Sequence, residues 1–305
     1  MRNALSDALV SLGKKDPRIL LLTGDHGYAL FDDFRRECTE QYINAGIAEQ
    51  NMVGLAAGLA RSGFRPIVYG LSAFIPIRVL EQVKLDVAHD QLPVIFIGDG
   101  AGFVYSHLGT SHQSTEDIAC SRAVPNLSVY PPADRFELTQ CLMTAYQEKS
   151  PVYLRIGKAD RGDVHQLPID IKPGKLIKVR TTRRSKYSFI ATGSMVVTAI
   201  DVADKLNIDI DVWSAPFIKP IERLTVEEIC HNSEAIVVFE EHSKYGGLGS
   251  LISEISSSSY PIKILQIAVN DCFSQKCGTY EYLLQEHGLD FSTVYTKVCS
   301  FLQDL

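Results

Sequence analysis

A single carboxylate stands at the head of a helix-like stretch that is otherwise apolar. The stretch reads NAGIAEQNMVGLAAGLA (44–60), and the residues from Met52 onward carry no charged or polar side chain. A buried carboxylate is costly unless its charge is paired or its proton is shared. Glu49 could therefore share a proton with a ring nitrogen of a ligand. Acids in a first helical turn also occur as ordinary capping or surface residues, and composition alone favours that simpler interpretation.

A second polar cluster, GTSHQSTEDIA (109–119), contains serine, histidine and acidic residues. His107 and His112 lack the HExxH spacing of a zinc site, and adjacent residues rarely supply the geometry of a Ser-His-Asp triad. Ser114 followed by Asp117 resembles a capping box, so we expect Ser114 to cap a helix. We expect His112 to face a ligand cleft, because open α/β sheets bind ligands at the carboxyl ends of their strands.

Two glycine-rich turns are weaker candidates for ligand-binding sites. IGDGAGF (97–103) follows a strand, but no helix start follows it, so we interpret it as a turn near a ligand and not as a dinucleotide site. EEHSKYGGLGS (240–250) leads into a helix and could hold an anion, although such a turn more often only connects a strand to a helix. We assign it no catalytic role.

Apolar β-rich runs alternate with helical patterns in two parts of the chain, which predicts two α/β domains, each a mostly parallel sheet flanked by helices. A polar, basic stretch between them predicts a linker with at most one strand. We place the domains at 1–160 and 187–305 and the linker at 161–186. The expected strands are 18–24, 65–70, 92–99, 127–132, 151–157, 187–193, 208–215, 235–241 and 262–268, and the expected helices include 47–61, 77–90, 133–148 and 291–305.

Composition narrows the class of protein. The 305 residues are 46% hydrophobic and 22% charged, and the net charge of -6 argues against nucleic-acid binding. Seven scattered cysteines without a CxxC pair argue against a disulfide framework or a zinc site. No signal peptide or membrane-spanning run is apparent. We expect a cytoplasmic protein without a membrane or nucleic-acid partner.

The order of the motifs carries a family resemblance. The first region resembles the pyrimidine-binding domain of transketolases and 1-deoxyxylulose-5-phosphate synthases, which use thiamine diphosphate. Its motifs, in order, are YINAGIAEQNMVGLAAGLA (42–60), YGLSAF (69–74), LPVIFIGDGAGF (92–103), GTSHQSTEDIACSRAVPNLSVYPPAD (109–134) and PVYLRIGK (151–158). The region from residue 187, with VWSAPFIKPIE (212–222) and EEHSKYGGLGSLISE (240–254), resembles their C-terminal domain.

The resemblance also implies a partner. Family enzymes have a pyrophosphate-binding domain whose GDG motif and downstream Asn hold a divalent metal. Gly98–Gly100 instead lies inside the pyrimidine-binding region. The chain therefore resembles the C-terminal subunit of a split transketolase, active only with an N-terminal subunit that holds Mg²⁺ (or Ca²⁺). An α2β2 heterotetramer with the cofactor at a subunit interface is implied, and no metal ligand is expected in this chain.

Carried over residue by residue, the resemblance assigns the cofactor site. Glu49 matches the Glu that hydrogen-bonds the aminopyrimidine ring and assists proton transfer at the cofactor. Phe74 matches an aromatic residue that stacks on that ring. Tyr69 and Leu71 are weaker pocket candidates, and Asp25 matches an acid close to the cofactor.

The resemblance also assigns substrate contacts. His112 matches the substrate-binding His of a THQ motif and, with Glu49, is expected to be catalytic. Arg155 matches a phosphate-binding Arg of the synthases, Lys158 stands where transketolases have theirs, and Arg78 resembles a synthase arginine in this cleft. Three cations imply a phosphorylated or otherwise anionic sugar.

Three departures from the family pattern bear on specificity. Leu108 stands where the family has an Asp that contacts sugar hydroxyls, which puts the usual substrate preference in doubt. His26 stands where many relatives have an apolar residue that supports the bent cofactor, so either the alignment slips locally or the pocket differs. Lys158 keeps the charge of the family's Arg but not its bidentate fork.

The expected activity is transfer of a two-carbon ketol unit from a ketose to an aldehyde acceptor. The alternatives are the β subunit of a 2-oxoacid dehydrogenase, against which the THQ-like motif argues, and a synthase-like acyloin condensation. A non-catalytic regulatory subunit is the alternative of another class, and the presence of Glu49 and Phe74 argues against it.

Overall fold

The computed structural model describes residues 1–158 and 161–305, and its first sheet has six parallel strands. Every residue of the first and fourth strands is buried, as expected for a parallel sheet covered on both faces. The strands are β1 (Ile19–Thr23), β2 (Tyr42–Asn44), β3 (Arg65–Leu71), β4 (Ile95–Asp99), β5 (Ser128–Tyr130) and β6 (Val152–Ile156). Their order in the sheet is β2-β1-β3-β4-β6-β5.

Helices cover both faces of this sheet. They are α1 (Arg2–Lys15), α2 (Asp32–Glu37), α3 (Glu49–Arg61), α4 (Leu80–Gln82), α5 (Asp117–Ala123) and α6 (Arg135–Gln147). Helices α1 and α6 share one apolar core with Ile67 and Tyr69 of β3. Helix α3 packs on the opposite face, where Met52 and Val53 contact the core that contains Val68 of β3. Successive residues of β3 therefore point to opposite cores.

The second sheet has five strands, four of them parallel. The strands are β7 (Ile177–Arg180), β8 (Tyr187–Ala191), β9 (Ile210–Ser214), β10 (Ala235–Ser243) and β11 (Lys263–Val269), in the order β11-β10-β8-β9-β7. Only β7 runs antiparallel to its neighbour. The surrounding helices are α7 (Met195–Leu206), α8 (Arg223–Asn232), α9 (Leu248–Ser258), α10 (Tyr280–Glu286) and α11 (Phe291–Gln303).

The two sheets are joined by direct packing. One apolar core runs from Ile118 and Val129 of the first unit to Ile218 and Leu248 of the second. Lys219 adds polar links, because its backbone pairs with Val129 and its Nζ donates to the Arg122 carbonyl at 2.9 Å. The second unit is therefore packed against helix α5 and strand β5 of the first unit.

The predicted fold class, two mostly parallel sheets flanked by helices, is confirmed, and each predicted strand is present with slightly different bounds. The linker contains the one strand β7. The predicted boundary at residue 160 lies outside the described residues. Among the residues that are described, no helix combines the length and apolarity that crossing a bilayer needs.

One local prediction is wrong, and another is confirmed only in part. Ser114 does not cap a helix: α5 begins after Glu116, and the Ser114 backbone pairs with Gly102 in an isolated bridge. The helix predicted over 77–90 is instead a 3-10 turn (Ile77–Val79), the short α4 and a π-helical segment (Val83–Ala88). Periodicity alone does not distinguish these helix types over so few residues, because repeats of about 3.0 and about 3.6 residues per turn fit the same short pattern.

Candidate active site

Glu49 is the first residue of α3, and its side chain is buried. The chain leaves β2 at Asn44 and turns through Gly46, which has φ +72°, before the helix begins. A positive φ is accessible to glycine at little cost, so the turn can bring Glu49 close to the sheet edge. Glu49 is only 4% exposed, and its Oε1 atom is buried without a hydrogen-bond partner. A carboxylate in this setting requires a charged or hydrogen-bonding partner.

Two cationic or titratable side chains lie near that oxygen. The Nη1 atom of Arg78 is 3.3 Å from Glu49 Oε1, and the Nε2 atom of His26 is 3.8 Å from it. Neither contact has hydrogen-bond alignment, since Glu49 Oε1 and His26 Nε2 both lack a hydrogen-bond partner. The site therefore holds an acid whose hydrogen-bonding capacity is unused.

Phe74 forms the second wall of the site. It follows β3 in a turn that is closed by hydrogen bonds from the Phe74 and Ile75 amides to the Leu71 carbonyl. The guanidinium carbon of Arg78 lies 3.7 Å from the centroid of the Phe74 ring. The ring centroid of His112 is 5.3 Å from that of Phe74, in an edge-to-face arrangement. The structure thus brings Glu49, Phe74, His112 and Arg78 together.

His26 and Asp25 lie on the loop after β1. His26 reaches the site: its ring is 6.1 Å from that of Phe74. The exposed Asp25 has φ +60° and is linked to Asn44, which also accepts a hydrogen bond from the Gly46 amide. Hydrogen bonds from Tyr28 and Asn44 lower the pKa of Asp25. Asp25 thus ties its loop to the turn that precedes Glu49.

Tyr69 and Leu71, the two weaker pocket candidates, lie in different surroundings. Tyr69 points into the core under α1 and α6, where its hydroxyl donates to Asp99 Oδ2 at 2.7 Å. Burial, with the Asp99 charge, raises the pKa of Tyr69 above its usual range. Leu71 ends β3 and supports the site through its carbonyl, which holds the Phe74 turn. The structure therefore does not bring the Tyr69 side chain to Glu49.

The turn Gly98–Gly100 is occupied by protein contacts. Asp99 is buried, accepts hydrogen bonds from Tyr69 and Tyr105, and lies 3.6 Å from Arg2. Within the described ranges, no group of His, Cys, Asp or Glu side chains is arranged to hold a metal ion. The second glycine turn at α9 does receive an anion, but the anion is the Glu240 carboxylate, which accepts the Leu248 and Gly249 amides.

The three predicted substrate cations have different surroundings. Arg78 is 46% exposed and lines the site. Lys158 is half-buried, with its Nζ 5.2 Å from the Tyr280 ring centroid. The Arg155 side chain is 3% exposed, and its guanidinium donates to Asp117 Oδ2 at 2.7 Å and to the Ser114 and Glu241 carbonyls. Arg155 is thus engaged by the protein itself and not presented to the cleft.

A contact between the C-terminal unit and the His112 loop has no signal in the sequence. The Ser274 hydroxyl donates to Gln113 Oε1 at 2.9 Å and lies 2.9 Å from His287 Nε2. The His287 ring stacks on Phe103, with centroids 4.6 Å apart. Ser274 and Gln113 are separated by 161 positions in the chain. Only the packing of the two units brings them together.

Comparison with known families agrees with this arrangement. Residues 1–162 match the family model described as "Transketolase, pyrimidine binding domain", and residues 177–294 match "Transketolase, C-terminal domain".

Relatives of similar length are among the curated proteins. The chain is 33% identical to a "Putative transketolase C-terminal section" of Methanocaldococcus jannaschii, over 98% of this chain and 95% of that protein. It is 31% identical to a subunit of an apulose-4-phosphate transketolase of Phocaeicola vulgatus, over 99% of this chain and 97% of that subunit. It is also 33% identical to the 1-deoxy-D-xylulose-5-phosphate synthase of Pasteurella multocida, over 97% of this chain but 48% of the synthase.

A solved structure has the same fold over nearly its whole length. It is described as "Split gene transketolase, inactive beta4 tetramer" and superposes with a TM-score of 0.87 at 32% sequence identity. The match covers 98% of this chain and 96% of that one.

Proposed function

The chain belongs to the transketolase family, and from that premise we propose that it is the C-terminal subunit of a split transketolase. In this proposal the assembled enzyme transfers a two-carbon ketol unit from a ketose, phosphorylated in its natural form, to an aldose acceptor. The observation that carries the proposal is the buried Glu49 carboxylate, with an unused hydrogen-bonding oxygen, in one site with the Phe74 ring, since Arg78 contacts both. Relatives of matching length that are named as transketolase sections or subunits support it.

The residues fit the pyrimidine half of thiamine diphosphate. In the proposal, Glu49 Oε1 hydrogen-bonds a nitrogen of the aminopyrimidine ring, and Phe74 packs on the ring face. When bound, the cofactor supplies the carbon nucleophile that accepts and releases the two-carbon unit. The chain's own contribution is to hold a proton at Glu49 and to exclude water around it, since Glu49 is 4% exposed and Phe74 is 8% exposed.

We assign the substrate to the open side of the same site. His112 borders Phe74 and can donate to or accept from a sugar oxygen. Lys158 and Arg78 are the cationic candidates for an anionic sugar. The Arg155 assignment stays a prediction that its present contacts do not support, because the side chain is buried and its Nε and Nη2 atoms donate to Asp117 and two carbonyls.

A partner subunit is part of the proposal. Large apolar side chains are exposed around the head of α3 and its neighbours: Tyr28 is 69% exposed, Ile47 75% and Leu85 53%. Apolar surface of this kind is typical of a subunit interface. We propose that an N-terminal subunit covers it, holds the pyrophosphate and Mg²⁺, and assembles with this chain as an α2β2 heterotetramer. The relative described as an inactive β4 tetramer is consistent with activity that needs a second kind of subunit.

Replacing Glu49 by Gln tests the proposed function. Gln keeps the size of Glu and one acceptor oxygen but cannot exchange a proton. The complex of Glu49→Gln with its partner should therefore lose ketose turnover by at least about a hundredfold, a usual loss for general acid–base catalysis. Exposed Glu40→Gln is the matched control and should retain activity. Near-normal turnover by Glu49→Gln would refute the catalytic assignment.

A synthase-like acyloin condensation is the second candidate, favoured by the 33% identity to a deoxyxylulose-phosphate synthase. The two reactions differ in donor. Consumption of pyruvate with an aldehyde, and none of ketose phosphates, would establish the second candidate. The 2-oxoacid dehydrogenase alternative would show oxidation of a 2-oxoacid by an artificial electron acceptor.

A further inference from the structure

The Arg78 side chain lies across the two groups that form the proposed pyrimidine site. Its guanidinium carbon is 3.7 Å from the Phe74 ring centroid, and its Nη1 atom is 3.3 Å from Glu49 Oε1. Phe74 and Glu49 are both buried, whereas the Arg78 side chain is 46% exposed. Arg78 therefore reaches the site from its open side.

A guanidinium group and an aminopyrimidine ring have similar requirements. Both are planar, both stack on an aromatic face, and both carry a nitrogen at the edge that can hydrogen-bond a carboxyl group. The guanidinium donates to a carboxylate, whereas the ring nitrogen accepts the proton that Glu49 holds. The Phe74 face and the Glu49 oxygen satisfy these requirements together. A second planar group cannot lie on the same face of Phe74 and against the same oxygen while Arg78 is there, because protein interiors have no room for two overlapping groups.

A ligand can also displace the Arg78 guanidinium from Glu49 and Phe74. Glu49 Oε1 makes no aligned hydrogen bond, so the pair is held by charge and stacking alone. Ion pairs with one half-exposed partner are weak, and a half-exposed cation over an aromatic face adds a modest amount. Arg78 lies in the 3-10 turn Ile77–Val79, and its long side chain can rotate toward solvent without disturbing the backbone.

We propose that Arg78 and the aminopyrimidine ring of thiamine diphosphate compete for Glu49 and Phe74, so that Arg78 must swing out before the cofactor binds. The inference rests on the proposed function. It gives Arg78 a role at the cofactor site that differs from the substrate-phosphate role implied by the family resemblance. Arg78 keeps the buried Glu49 carboxylate paired until the ring replaces it.

The test is direct binding of thiamine diphosphate, with Mg²⁺, to the chain purified in complex with its partner. Removing the competitor in Arg78→Ala should tighten binding by about threefold to tenfold, the range that one weak ion pair and one cation–π contact allow. Titration calorimetry gives the affinity, and stopped-flow mixing should show a faster association rate. Unchanged or weaker binding by Arg78→Ala would overturn the inference.

Two further variants keep the test decisive. Arg61→Ala removes another arginine with a half-exposed ion pair, to Asp90, and should leave cofactor affinity unchanged. Arg78→Gln retains a side chain but not the charge, and should also tighten binding if the alanine variant does not assemble. If the Arg78 variants instead raise the KM for the ketose phosphate and leave cofactor affinity unchanged, the inference is wrong and Arg78 binds the substrate. Absence of cofactor binding by the wild-type complex would instead refute the proposed function.

Discussion

Arg155 and Asp117 form an ion pair that is sealed between the two units. Their side chains are 3% and 0% exposed, and Tyr153 also donates to Asp117 Oδ2 at 2.6 Å. Burial lowers the pKa of Arg155, but the charge and hydrogen bond of Asp117 outweigh burial and raise the pKa above its usual range. Arg155 therefore stays charged, and its contact with Asp117 fixes the start of α5 against β6.

Removing one member of this pair should be costly. Arg155→Met leaves the Asp117 carboxylate buried without its cation, so the free energy of unfolding should fall by about 3 to 5 kcal/mol. Urea unfolding followed by circular dichroism measures the change. Adding Asp117→Asn to Arg155→Met should restore part of the loss, while the surface variant Arg61→Ala should cost less than about 1 kcal/mol. A loss below about 1 kcal/mol for Arg155→Met would show that the pair does not stabilise the fold.

At the scale of single residues, the sequence predicted several residues of the candidate site but not the residues that contact them. The ordered motifs identified Glu49, Phe74 and His112, and the structure places them around one site. The sequence did not show that Arg78 stacks on Phe74, because that contact depends on the irregular turn between them. It also did not show the Arg155–Asp117 pair, which requires α5 to pack against β6.

At the scale of elements, the loop with His112 is held by a loop from the other unit. Ser274 joins Gln113 to His287, and burial lowers the pKa of His287, so its ring is mainly neutral near pH 7. Gly109, on the same loop and with φ +78°, lies close to Cys277 of the other unit. A Cβ atom added at Gly109 would be only 3.1 Å from Cys277 Sγ. The C-terminal unit therefore positions the residue next to His112.

Loss of the Ser274 hydroxyl should loosen that loop. In the complex with its partner, Ser274→Ala should raise the KM for the ketose about threefold to tenfold, the effect of losing about one hydrogen bond, and should leave thiamine diphosphate affinity unchanged. Steady-state kinetics and cofactor titration separate the two effects. Ser274→Thr should recover most of the KM, and exposed Ser257→Ala on α9 is the control. Equal KM values for wild type and Ser274→Ala would argue against a positioning role.

Elements differ in how far the sequence predicts them. The strands β1, β3 and β4 were predicted because parallel strands buried on both faces are continuous apolar runs. The short edge strand β2 was missed, since its three residues are at most partly buried and carry no such run. The prediction that Ser114 caps a helix was wrong, because the Ser114 backbone is paired with Gly102 in an isolated bridge.

At the scale of the whole molecule, the proposal assigns half of a site to this chain. Glu49 and Phe74 lie at the carboxyl edge of the first sheet, beside exposed apolar side chains that include Ile47. No metal-binding group is found in the ranges 1–158 and 161–305. In the split-transketolase proposal, the diphosphate and its cation are held by the other subunit.

Binding of thiamine diphosphate by this chain, with and without its partner, tests the central proposal most directly. The proposed partner is a chain with a GDG motif and a downstream Asn, and calorimetry in the presence of Mg²⁺ is performed on each subunit and on the mixture. We expect saturable binding and ketose turnover only in the mixture, because each subunit holds one end of the cofactor. Equally tight binding, or turnover, by this chain alone would contradict the proposal of a split site.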